Sequence, residues 1–295
     1  MKIIHLSDTH VGHADNEMFF RKIVGDLTKS RPCDTQQHLI IHTGDLIDNA
    51  DNISEREAAR TLLEELRAFG YCVLLCPGNH DYGDSMTMSR RHAIDFRSTF
   101  SDFFNLEGDT CAKGVHTLAY GADDIFPVLH IIEDIALIGL DSCWSEMNWM
   151  NRFFAEGKLG MEQLFTLNTM LDRPELAGKK IVVYLHHHPF YYGYTVKPDL
   201  SEARAWSHWR ASVTRSFRRL KDAYSFNQIV RDRVHVLLFG HMHFGLDCRA
   251  ESQKYGIPLA FDGSSSTCMN MDTDRMRYRI IDLDTMTAET RFVML

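Results

Sequence analysis

Five short apolar runs in this chain each lead into residue types that bind metals. Residues 3–6 run into Asp8-Thr9-His10, 38–42 into Thr43-Gly44-Asp45, and 71–75 into Gly78-Asn79-His80-Asp81. Further on, 181–185 run into His186-His187-His188-Pro189, and 234–239 into Gly240-His241-Met242-His243. Apolar runs this short, bounded by turn residues, have the length of buried strands. Helical spacings lie between the first three: Met18, Phe19, Ile23, Val24 and Leu27, then Leu62, Leu63, Leu66 and Phe69. Alternation of strand and helix predicts parallel strands in an α/β domain, with functional loops at their carboxyl ends. The Asp, Asn and His residues can then converge from distant parts of the chain.

Glycine supports the same placement. Gly44, Gly78 and Gly240 stand just before ligand-type residues, where the backbone must turn sharply and approach closely. Elsewhere the signals are ordinary. Ser54 with Glu57 three residues on marks a helix start, and Gly70 its end. Residues 94–104 have a helical pattern. Residues 128–132 and 135–140 read as strands joined by Glu133-Asp134. A helix with Leu164, Leu167 and Leu171 on one face follows Gly160, and strand-like runs occupy 257–261, 277–283 and 289–293.

Carboxylate and imidazole together suit Zn, Mn or Fe better than Ca or Mg. Asp8, His10, Asp45, Asn79, His241, His243 and one histidine of the triplet 186–188 would supply seven ligands. Seven suit two metals with one carboxylate shared. Two such ions about 3.5–4 Å apart clamp a phosphoryl group and bring the pKa of a bound water toward neutrality.

The set Asp8-x-His10, Gly44-Asp45-x-x-Asp48-Asn49, Gly78-Asn79-His80-Asp81, His187-x-Pro189 and Gly240-His241-x-His243 resembles the calcineurin-like metallophosphoesterase superfamily. The resemblance implies an α-β-β-α sandwich of two mixed sheets, a four-layer α/β fold. It implies that Asp8, His10 and His243 hold one metal, that Asp45 bridges, and that Asn79, His187 and His241 hold the other. It implies attack in line on phosphorus by a hydroxide held between the metals. His80 would stabilise the developing charge or protonate the leaving oxygen, with Asp81 orienting it. His13 is expected not to be a ligand. His5, inside a strand, is expected to be a core or edge histidine, and His186 or His188 a neighbour of the site or a substrate contact.

Within the superfamily, Asn49 stands where phosphoprotein phosphatases carry an arginine that grips phosphate, and His80 where lipid A pathway pyrophosphatases tend to have Arg. Gly139-Leu140-Asp141-Ser142, Gly157-Lys158-Leu159-Gly160 and Gln163-Leu164 are similar to class III cyclic nucleotide phosphodiesterases and glycerophosphodiesterases. That similarity implies a small phosphodiester substrate. The opening His-Leu-Ser-Asp-Thr-His-x-Gly is shared with double-strand-break repair nucleases, an alternative that the net charge of -8 disfavours. A phosphomonoesterase is a further alternative. A non-catalytic scaffold would have lost ligands, and none of the seven positions is missing.

The chain reads as one domain over 1–295, with a helical insertion or lid at about 198–233. There Trp206, Trp209, Val213, Phe217, Leu220 and Tyr224 follow helical spacing among Arg204, Arg210, Arg215, Arg218 and Arg219. That segment is either an amphipathic helix with a solvated basic side or a lid for an anionic substrate. No run approaches the roughly 18 apolar residues of a membrane span. With Met1-Lys2 directly before the first strand and seven scattered cysteines, a cytoplasmic location with reduced thiols is expected. Trp144, Trp149 and Phe153 suit either a homo-oligomer contact or the core.

Overall fold

The computed structural model describes residues 1–29, 38–83, 87–106, 116–119, 125–147, 156–190, 219–243, 245–263, 265–267 and 275–294. They form two mixed sheets. The first has the order β11-β10-β1-β2-β3, with β1 (Lys2–Leu6), β2 (His38–His42), β3 (Cys72–Leu75), β10 (Arg275–Asp282) and β11 (Thr287–Met294). The second runs β4 to β9 in order: β4 (His116–Ala119), β5 (Val128–Ile132), β6 (Ile135–Gly139), β7 (Lys180–Tyr184), β8 (Val236–Phe239) and β9 (Leu259–Asp262). The expected parallel strands are β1-β2-β3 and β6-β7-β8-β9. Each sheet also carries antiparallel strands at one edge, β10-β11 and β4-β5.

Side-chain alternation along the strands builds the layers. Leu137, Val182, Tyr184, Val236 and Leu238 of the second sheet join one core with Ile3, Ile40, Ile41, Val73 and Leu74 of the first. Their neighbours Ala136, Ile138, Val183, Leu185 and Leu237 face the other way, into a second core. There they meet Leu164 and Leu167 of α4 (Gly160–Leu171) and Phe226 and Val230 of α5 (Ala223–Val230). The outer face of the first sheet is covered by α1 (Asn16–Lys29) and α2 (Ile53–Ala68), through Phe20, Ile23, Leu62 and Leu66. The order is helix, sheet, sheet, helix. Fully burying side chains of this size is worth about 1.5–3 kcal/mol each, so the sheets are held rigidly beneath their carboxyl edges.

Several local expectations shift. The cap of α2 is Asn52, whose side chain accepts from Ser54 N–H at 3.1 Å, rather than Ser54. The helical signal at 94–104 resolves into α3 (Arg90–Thr99) and a separate 3₁₀ turn at Ser101–Phe103. Cys72 is disulfide-bonded, against the expectation of reduced thiols, while Cys76, Cys143 and Cys248 are free and buried. Trp144 packs on the first core, with the Arg97 guanidinium 3.8 Å from its ring centre. Trp149, Phe153 and the Trp206–Phe217 part of the expected lid lie outside the described residues. α5, from the end of that segment, is part of the second core.

Candidate metal centre

The carboxyl edges of β1, β2 and β8 carry a run of backbone outliers. Asp8, His10, Asp45, His241 and His243 all have left-handed φ, between 43° and 74°. They are five of the nine such non-glycine residues among those described. Conformations of this kind cost of order 1–3 kcal/mol each and persist where surrounding structure enforces them. Here the loops enforce one another. Asp8 N–H donates to the Gly44 carbonyl at 3.0 Å, His10 N–H to the Asp45 carbonyl at 3.0 Å, and Gly240 N–H to the His186 carbonyl at 2.9 Å. Gly44 has a φ of 89°, and a Cβ there would stand 2.6 Å from Gly78 N and 2.7 Å from His186 Nδ1.

One donor set gathers Asp8, His10, Asp45 and His243. His243 Nε2 lies 3.2 Å from both Asp8 Oδ1 and His10 Nε2. His241 N–H reaches both Asp8 oxygens at 3.0 Å. Burial pushes the Asp8 carboxyl up, but His243 holds it below the ordinary carboxylate value. Burial also lowers His10, outweighing Asp48 and Asp45.

A second set lies on the other side of Asp45. His186 Nε2 stands 3.3 Å from Asp45 Oδ2, 3.2 Å from Asn79 Oδ1 and 3.1 Å from His241 Nδ1. Asp45 Oδ2 is also 3.8 Å from His10 Nε2, so one carboxylate oxygen faces both sets. Burial raises the Asp45 carboxyl, but His186, His80 and His10 bring it well below the ordinary range.

The histidine expected here is His187; it lies in one possible ligand group with His186 and His241, and within the triplet it is His186 that stands against Asp45. The reason is strand alternation. Val182 and Tyr184 face the first sheet, and His186 continues their side. Val183 and Leu185 face the helices, and His187 continues theirs. His187 Nδ1 lies 2.8 Å from Ser142 Oγ, and its ring fills the space where a Cβ on Gly157 would fall. It remains within 4.8 Å of His186 and His241 by ligand atoms. His188 turns away again: Phe190 N–H donates to its Nδ1 at 3.1 Å, and burial takes its pKa down to about 3.

His80 lies at the rim, its ring 4.5 Å from that of His10. Its Nδ1 is 2.8 Å from the Asp48 carbonyl oxygen, which can only accept, so Nδ1 carries the proton. Asp81 does not orient it. Its carboxylate accepts from the backbone N–H groups of Leu46 at 2.9 Å, Ile47 at 3.2 Å and Gly78 at 2.8 Å, tying two ligand loops together. Asp48 approaches His10 Nδ1 at 3.4 Å and the half-exposed His13 at 3.6 Å. His5 is a buried hydrogen-bonded histidine, as its place within β1 predicts, with Nε2 2.9 Å from Thr43 Oγ1.

Among the described residues, every ion-pair partner of Asp8, Asp45 and Asp48 is an imidazole. Two buried carboxylates, one amide oxygen and four facing imidazole nitrogens form a donor set that suits divalent transition metals. The residues present therefore fit two ions sharing Asp45.

A fold of two mixed sheets with this edge defines a class, and sequence comparison agrees with it. The model of the calcineurin-like phosphoesterase family matches residues 1–245, and the chain belongs to that family of metal-dependent hydrolases of phosphate esters, which use a binuclear metal centre. An uncharacterized metallophosphoesterase, YkuE of Bacillus subtilis (strain 168), is 34% identical over 83 residues, which are 28% of this chain and 27% of that protein. The chain thus aligns with little more than a quarter of that relative's length. The crystal structure of a dimetal phosphatase from Danio rerio superposes with a TM-score of 0.57 at 13% identity, covering 100% of this chain and 98% of the other. The phosphopantetheinyl hydrolase PptH of Mycobacterium tuberculosis gives a TM-score of 0.48 at 12% identity, with 89% and 88% covered. No helix among the described residues is long and apolar enough to cross a membrane.

Proposed function

We propose that this chain is a binuclear-metal phosphodiesterase acting on small phosphodiesters. Asp8, His10 and His243 would hold one ion, Asn79, His186 and His241 the other, and Asp45 both. The carrying observation is Asp45 Oδ2, which faces His10 on one side and His186 on the other at 3.8 and 3.3 Å. When bound, the ions supply Lewis acidity toward phosphoryl oxygens and lower the pKa of a water.

The chain's own groups do the rest. The Asp48 carbonyl keeps the proton on His80 Nδ1, which leaves Nε2 to exchange a proton with the departing oxygen. Asp81 keeps the loops of Asp45 and Asn79 in register from behind. Ser142 and Gly157 pack His187 against the ring of His241, centroids 4.5 Å apart, which fixes the plane of that ring.

Diester preference rests on charge. Among the described residues, the ion-pair partners of the site's carboxylates are all histidines, with no guanidinium among them to hold a dianionic monoester. A diester has one negative charge fewer. The motif 139–142 with 157–164, similar to small-diester enzymes, is also the part that packs on His187. The net charge of -8 favours a small substrate over a polyanion. Turnover of bis-p-nitrophenyl phosphate and p-nitrophenyl phosphate with Mn, Fe or Zn tests this. We expect the diester to have the higher kcat/KM and cyclic AMP to be cleaved faster than single-stranded DNA. A monoester preference, or faster digestion of DNA, would overturn it.

A further inference from the structure

Behind Asp8 lies a chain of buried polar groups that no ligand role uses. We propose that His5, Thr43 and Ser7 form a positioning relay that decides which oxygen of Asp8 is offered to a metal. This rests on the two-metal reading given above. The direction of the relay follows from its donors. The Ser7 hydroxyl donates to Asp8 Oδ2, and the Thr43 hydroxyl donates to Ser7 Oγ at 2.8 Å. Thr43 has only one hydroxyl proton, so its oxygen accepts from His5 Nε2–H, 2.9 Å away. Each of these side chains is fully buried. Asp8 Oδ2 is thereby occupied from behind, and Oδ1 is the oxygen that faces His243 Nε2 at 3.2 Å.

The relay is sealed by a segment beyond residue 245, outside the family match. A Cβ on Gly263 would stand 2.6 Å from Ser7 Cβ and 2.9 Å from His5 Nε2, and one on Gly240 would strike Ser7 Oγ. Ser266 exchanges two hydrogen bonds with the Ser7 backbone: its Oγ accepts from Ser7 N–H at 3.1 Å, and its N–H donates to the Ser7 carbonyl at 2.9 Å. The Ser265 hydroxyl donates to the Asp8 carbonyl at 2.8 Å, and that of Thr267 to the Thr9 carbonyl at 2.9 Å. These bonds hold the left-handed turn at Asp8 while the relay fixes its carboxylate plane. Without its Ser7 partner the Asp8 carboxylate would rely on the His241 N–H, 3.0 Å from both oxygens, which does not distinguish one oxygen from the other; outer groups of metal sites normally fix that orientation.

The test is Mn²⁺ titration of the full chain by calorimetry and EPR, with thermal melting of the metal-free protein alongside. We expect two sites in the wild type. Thr43→Val and Ser7→Ala should weaken one of them by about 10- to 100-fold and leave the other unchanged. Thr43→Ser, which keeps the hydroxyl, should restore wild-type affinity. Wild-type affinity at both sites in Thr43→Val and Ser7→Ala, whatever their melting temperatures, would overturn the relay. So would an equal loss in Thr43→Ser and Thr43→Val, because the methyl group rather than the hydroxyl would then matter. If Ser7→Ala does not fold, the Thr43 pair decides alone. Fewer than two Mn²⁺ in the wild type would instead overturn the two-metal reading.

Discussion

His5, His42, His130 and His188 lie as deep in the molecule as His186. Burial takes each of those four down to about 3, so they remain neutral hydrogen-bonding groups at any ordinary pH. Burial pulls His186 down too, but Asp45 at 3.3 Å outweighs it and raises its pKa to about 9. His243 is raised against burial in the same way by Asp8. Depth is therefore not what separates the two groups. The carboxylates at the strand edge are. They create a local demand for positive charge, which protons on His186 and His243 meet in the metal-free protein and metal ions would meet in the loaded one.

The sharpest break of this contrast is Asp45→Ala. Turnover should fall on the order of 1000-fold, and NMR should find the His186 pKa below 6.5, with the interior histidines. A His186 pKa still near 9 would show that Asp45 is not its cause. His80→Ala should follow, with about a 100-fold loss in turnover and metal content unchanged by elemental analysis. Equal loss of both would make His80 a ligand. Asp81→Ala should act on stability first, because three buried N–H groups lose their acceptor. A drop in melting temperature on the order of 5–10 °C is expected. Turnover lost at unchanged stability would return Asp81 to a direct role.

The smallest effect is on pH. For His186 the folded pKa is above the unfolded one, so its contribution to the metal-free protein is full below pH 6.5. That contribution is lost as pH rises through about 9. For the four interior histidines the order is reversed, and stability falls as pH drops from 6.5 toward 3. Melting of the metal-free protein should therefore weaken on both sides of neutrality. Metal loading should remove only the alkaline limb, and it should release protons below pH 9. An alkaline limb that persists in the loaded protein would contradict the exchange of protons for metal.

Much of this was legible in the sequence, because strand length, helix spacing and ligand type all coincide at five places. Asp8, His10, Asp45, Asn79, His241 and His243 converge as their strand ends predict. Phase was not legible. Three consecutive histidines carry no mark of which one continues the inward side of β7, and a step of one residue exchanges Asp45 for Ser142 as neighbour. The α2 cap failed similarly, although Asn52 with Glu55 three residues on offered the same pattern as Ser54 with Glu57. The strand-like runs at 277–283 and 289–293 are β10 and β11, but their antiparallel place beside β1 and the hydroxyls at 265–267 gave no sequence signal. Ser and Thr are common in turns, and only tertiary packing brings them behind Asp8.

In the two-metal reading Asp45 joins both ions, with His186 on the side away from His10. Anomalous diffraction from crystals loaded with Mn²⁺ tests it directly. Two peaks are predicted, one within bonding distance of Asp8, His10, Asp45 and His243, and the other of Asp45, Asn79, His186 and His241. A single peak, or a second peak bound by His187 in place of His186, would contradict it.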